Sequence, residues 1–292
     1  MNPENLKFLQ DRLFYLGTEK RLFAELEKNM AEGKPEFSLA YANHYDADKL
    51  NVNLHFRKSD QTDLYFLNRY DATLQKPGGT EISRSFKLEN GKGVTMKEAY
   101  NLLDGRAVNK DLKNKEGVAY NAWVKLDFSS KDEAGQPKIL QYHKNYGFDL
   151  HAELFKLPLP NMGAEAFKNL TASLERGNVQ LVKLDNVPAY PAILVSANPQ
   201  YKTLNLADEN GKSLSKDDKL SLYAIADMRK VLAKELVQEQ KPELAAPEKK
   251  EKLSVARESG PEKKSPQKKT VKEKVATLLP KKHHSPKKGL TR

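Results

Sequence analysis

The chain has 292 residues, 38% hydrophobic and 30% charged, with a formal charge of +11. Cysteine is absent, which excludes disulfides, thiolate metal sites and cysteine nucleophiles. No apolar run reaches the length of about 18 residues that a membrane-spanning helix needs. The start, Met1-Asn-Pro-Glu-Asn-Leu-Lys7, lacks a secretory signal pattern, so a cytoplasmic protein that does not enter a membrane is expected.

Residues 1–34 read as a helical pair. Asn2 caps a helix that Pro3 opens and Gly17 ends, with Leu6, Leu9, Leu13 and Leu16 at helical spacing. Thr18 then caps a second helix carrying Leu22, Phe23, Leu26 and Met30, which stops at Gly33-Lys-Pro35. Residues 35–93 change to period two and read as an antiparallel meander. Phe37, Leu39 and Tyr41 lie in one strand, and Val52, Leu54 and Phe56 in the next. Leu64 to Leu74 make a third strand, and Ile82 to Leu88 a fourth beyond Pro77-Gly-Gly79.

Residues 94–160 form a first helix-plus-strands unit. Thr95 starts a helix with Met96, Tyr100 and Leu103 that ends at Gly105. A long strand follows, with Tyr120, Ala122, Val124, Leu126 and Phe128 on its buried face and Trp123 on the other. Ile139 to Phe148 continue the sheet, and Asp149 caps a short helix. Residues 161–214 form a second unit: a helix with Phe167, Leu170 and Leu174, then strands at 179–184, 190–195 and 202–206. The two helix ends, Leu102-Leu-Asp-Gly105 and Leu174-Glu-Arg-Gly177, are 72 residues apart. Both a duplication and mere recurrence of a common α+β order fit this spacing. Residues 215–240 are a C-terminal helix opened by Ser215 and Asp218. The expected fold is therefore α+β: a helical pair on an antiparallel β meander, two helix-plus-antiparallel-strands units, a C-terminal helix and a disordered basic tail.

That tail, 241–292, holds 16 Lys+Arg and 6 Glu. Taking these from the 50 basic and 39 acidic residues of the whole leaves 34 and 33 in 1–240, so the body carries +1 and the tail +10. The tail has 6 of the 15 prolines and none of the aromatic side chains. It cannot bury enough apolar surface to offset an ordering entropy of about 1–2 kcal/mol per residue. Lys263, Lys264, Lys268 and Lys269 flank one Ser-Pro, and Lys281, Lys282, Lys287 and Lys288 flank another. Such lysines neutralise phosphates without reading bases, and short Ser-Pro-Lys-Lys units resemble those of linker-histone tails. A solubilising end is the alternative. Val271, Val275 and Leu278 share one helical face and offer a place for a protein partner, or are incidental.

Chemical motifs are sparse. His143, Lys144, Asp149 and His151 crowd together in sequence, but the histidines are eight apart across a strand-to-helix change, and Asp149 is more simply a helix cap. His44 and His55 face away from the apolar set of their strands and should be exposed. No phosphate-binding loop, dinucleotide fingerprint or G-x-S-x-G occurs. No catalytic residue, metal or cofactor is expected.

Three stretches of the body, Leu54-His-Phe-Arg-Lys-Ser-Asp-Gln-Thr-Asp63, Lys97 to Lys110 and Ala197-Asn-Pro-Gln-Tyr-Lys-Thr-Leu-Asn-Leu206, resemble an uncharacterised domain family of Bacteroidetes. Leu278-Leu-Pro-Lys-Lys282 and Lys287-Lys-Gly-Leu290 are similar to its endings. That family is often encoded with conjugative and other mobile DNA elements, some members near or fused to topoisomerase-type proteins. The resemblance implies a setting in DNA transactions and assigns no activity to any residue. The expectation is a non-enzymatic accessory protein that binds nucleic acid through its tail. The alternatives are a protein-interaction adaptor and, third, an enzyme.

Overall fold

A computed structural model describes residues 1–89 and 92–239 and, in the last helix, side chains as far as Val231. The described residues form an α+β fold of six α-helices and ten strands, every strand pair antiparallel. The basic tail read above as disordered lies outside the described residues, with all eight candidate lysines and Val271, Val275 and Leu278.

Helix α1 (Pro3–Leu16) starts as its sequence dictates: Asn2 Oδ1 accepts the Asn5 N–H at 3.0 Å, and Gly17 ends it in the left-handed region at φ 99°. Thr18 does not cap the next helix. Its N–H and hydroxyl both turn back to the Leu13 carbonyl, at 3.2 and 3.1 Å, closing α1. The next helix, α2 (Phe23–Ala31), begins only after Leu22. Leu9, Leu13, Leu16, Leu22, Leu26 and Met30 are all buried against the first sheet.

That sheet runs in the order β1 (Glu36–Tyr45), β2 (Asp48–Lys58), β3 (Tyr65–Gln75), β4 (Glu81–Lys87). Its inner face carries Leu39, Leu54, Phe56, Tyr70 and Leu74. Asn5 of α1 pins β3 with two bonds, accepting the Tyr65 N–H at 2.7 Å and donating to the Tyr65 carbonyl at 3.0 Å. Helix α3 (Met96–Leu103) opens with a complete capping box between Thr95 and Glu98 and packs on the same core.

The second sheet has the order β5 (Val108–Lys113), β6 (Ala119–Lys131), β7 (Pro137–His143). Strand β6 is a partition between two cores. Val124 and Leu126 join the first, while Trp123, 7% exposed, joins the second and meets Phe148 edge-on at 5.3 Å. The expectation of one buried face is thus corrected in two ways. Both faces are covered at mid-strand, and the expected buried face is open at both ends of the strand, where Phe128 is exposed and Tyr120 is half-exposed with its hydroxyl donating to Gln141 Oε1 at 3.0 Å. The strand expected through Phe148 stops at His143, where Lys144–Tyr146 forms a 3-10 turn closed by Gly147 at φ 87°.

The second core is completed by α4 (Leu150–Leu154), α5 (Gly163–Glu175), the sheet β10-β9-β8 (Thr203–Ala207, Ala192–Asn198, Gln180–Lys183) and α6 (Lys216–Glu239). Asp149 caps α4 through the Ala152 N–H at 3.0 Å, and Ser215 and Asp218 cap each other's backbone at the start of α6. Both α3 and α5 lead into a glycine at nearly the same angle, Gly105 at φ 83° and Gly177 at φ 81°. Gly177 also touches a neighbour: a Cβ there would sit 2.8 Å from the Ala107 carbonyl oxygen.

Candidate nucleic-acid interface

The first sheet buries one face under α1, α2 and α3 and presents the other to solvent. Alternation puts Ser38, Ala40 and Ala42 of β1, Asn51, Asn53, His55 and Arg57 of β2, Arg69, Asp71 and Thr73 of β3, and Ser83, Ser85 and Lys87 of β4 on that open face. Register then sets the rows. Ser38 stands opposite His55, His55 opposite Arg69, and Arg69 opposite Lys87.

A hydrogen-bonded chain crosses three strands. His55 Nδ1 lies 2.9 Å from Ser38 Oγ and its Nε2 lies 2.7 Å from Asp71 Oδ2. Burial works against the Asp71 charge, but hydrogen bonds from Ser85 and His55 outweigh it and hold the carboxyl below its ordinary range. The imidazole is therefore half-buried and held from both sides, not free at the surface as its alternation suggested. Hydroxyl, imidazole and carboxylate in this order tie β1, β2 and β3 together across the open face.

Next to it the pairing of β2 with β3 slips. His55 pairs with Arg69 and Phe56 with Leu67, so Asn68 is an extra residue and the strand bulges. Along β3 the result is that Phe66, Asn68 and Arg69 are all exposed, while Tyr65, Leu67 and Tyr70 stay buried. Phe66 is 45% exposed. With Ser38, His55 and Arg57 these side chains line a shallow groove of about 430 Å³.

The charges of this face are unevenly matched. Arg57 is paired with Glu36 and Asp60, at 3.6 and 3.2 Å. Arg69 and Lys87 are exposed, directly opposite each other, and make no ion pair or side-chain hydrogen bond among the described residues. Like charges so placed repel, at a cost of a few tenths to about 1 kcal/mol.

A second polar cluster joins the two helix-plus-strands units. Tyr146 donates to the Gln200 carbonyl at 2.8 Å, Lys125 to Gln200 Oε1 at 2.8 Å, and the Lys202 ammonium lies 4.7 Å from the Tyr146 ring centre. Lys202 takes the left-handed conformation, at φ 54°, to close the 3-10 turn Pro199–Tyr201. Burial lowers the affinity of Lys125 for its proton. These side chains satisfy one another, so the cluster reads as a clasp.

The histidines weighed for chemistry are not brought together. His143 is exposed beside Tyr120, and His151 packs edge-on against Phe167 at 5.5 Å. Phe66, Arg69 and Lys87 were missed in the sequence. The visible signal was the polar pair Asn68-Arg69 between Leu67 and Tyr70, which lengthens the buried spacing from two to three. Compared with models of protein families, with curated proteins and with solved structures, the chain matches none.

Proposed function

We propose that the protein is a non-enzymatic accessory factor that binds nucleic acid through its lysine-rich segment 241–292. The observation that carries this reading is the segregation of charge. Ten of the eleven net positive charges sit in the last 52 residues, and the 240 before them are nearly balanced. A basic segment with prolines and no aromatic residue offers phosphate neutralisation without base readout. The resemblance to domains encoded with mobile elements favours DNA as the partner. A cytoplasmic site of action agrees with both.

The test is a titration of duplex DNA against the full chain and against a truncation ending at residue 240, at several salt concentrations. Binding by the full chain with a steep salt slope, lost in the truncation, supports the reading. Equal binding by the two forms sends the search to the body. Failure of both at low salt leaves the adaptor as the better description.

A further inference from the structure

Resting on the nucleic-acid reading, we infer that the open face of the first sheet is itself a site for single-stranded nucleic acid. One base stacks on Phe66, and an adjoining phosphate lies between Arg69 and Lys87.

Three independent features converge on that occupant. The first is the pair of cations. Arg69 and Lys87 are in register on neighbouring strands and make no ion pair among the described residues; the Asp71 carboxylate, two residues along β3, feels the Arg69 charge but is hydrogen-bonded to His55, whereas Arg57, also in the groove, is engaged directly by Glu36 and Asp60. An anion between them converts a repulsive pair into a chelate, and a phosphodiester is an anion with two free oxygens to share. The second is the bulge at Asn68. It brings an aromatic ring, an amide and a guanidinium to one surface within four residues, the combination that stacks a base, meets its edge and neutralises its phosphate. The third is relief. On this face the edge strands carry small residues beside the groove, Ala40 and Ala42 on β1 and Ser83 and Ser85 on β4, so a chain entering over either edge meets little obstruction there.

The strand must be single. In a duplex each base is already stacked and paired, and Phe66 would have to displace a neighbour at a cost of a few kcal/mol, which an unpaired base does not incur. The tail, by contrast, acts on phosphates of either form. The two sites are therefore separable by probe.

The experiment uses the full chain, a short labelled oligothymidylate and a labelled duplex of equal length. Phe66→Ala should weaken binding of the single strand by about 5- to 140-fold, the loss of one stacked base, with the duplex affinity unchanged within about twofold. Phe66→Tyr, which keeps a stacking ring, should retain most of the affinity. Arg69→Ala with Lys87→Ala should lower the single-strand salt slope by about 0.7–1.4 units. A full chain that binds both probes but is indifferent to Phe66→Ala overturns the sheet site and leaves the tail reading intact. So does a loss confined to the Arg69 and Lys87 variant, which would mean charge without stacking. A wild-type chain that binds neither probe at low salt removes both readings. Melting curves of the variants check that the fold survives.

Discussion

Asn101, buried in α3, donates its amide to the carbonyl of Arg176 at 2.6 Å and to Asn178 Oδ1 at 3.0 Å, linking the first helix-plus-strands unit to the end of the second unit's helix. Asn101→Ala should leave a part-buried carbonyl unpaired and cost about 1–3 kcal/mol. Gly177→Ala should cost at least as much, because it combines a positive φ with a Cβ only 2.8 Å from the Ala107 carbonyl oxygen. Urea unfolding of both variants checks this. Midpoints equal to wild type would show that the junction yields without strain.

Because β6 feeds two cores, the described body should unfold as one cooperative unit. Val124→Asp places an unpaired charge in the first core and should cost several kcal/mol. Trp123→Ala opens a cavity in the second core and should cost about 3–5 kcal/mol. Calorimetry should show a single transition for the wild type, shifted as a whole by either substitution. A variant that melts one half and spares the other would separate the cores.

The alkaline limb of stability should depend on Tyr100. Its ring stacks on Tyr45 at 4.2 Å, and its hydroxyl donates to Asp48 at 3.2 Å. Burial, aided by the Asp104 carboxylate, pushes its pKa up to about 12. The folded value lies above the unfolded one of about 10, so this contribution is complete below pH 10 and is lost as pH rises from about 10 to about 12. Tyr70, buried deeper, is raised in the same direction. Denaturation midpoints across this range should fall less steeply for Tyr100→Phe than for wild type. Parallel curves would mean that the phenol ionises freely in the folded protein.

In the tail, replacing Lys281, Lys282, Lys287 and Lys288 with alanine should reduce the slope of log K against log salt on duplex DNA by about 2–4 units. The melting temperature of the body should not change. An unaltered slope would place the phosphate contacts among the other lysines of 241–292 or on the body.

Elements were largely readable because their signals are local. Asn2 with Pro3, Thr95, Asp149, and Ser215 with Asp218 each start the helix that their position announces, and at Thr95 the structure adds Glu98 to complete a capping box. What could not be read depends on which partner a side chain takes. Thr18 looks like a start but closes the helix behind it, because its hydroxyl and N–H both bond the Leu13 carbonyl. His55 looked exposed because alternation says which face a residue takes, not what its neighbours in β1 and β3 offer. Both-sided burial of β6 is likewise invisible in a strand that alternates like any half-buried one. The candidate interface is harder still. It depends on a register slip in β3, and a slip belongs to a pair of strands, not to one.

The partition made by β6 also limits how the chain can be divided. A fragment ending after β4 would leave the first core without Val124 and Leu126, and one beginning at α5 would leave the second without Trp123. Each break exposes an apolar surface that nothing else in the fragment covers, so such pieces should associate or aggregate. Gene fusions are best placed before α1, where neither core is opened.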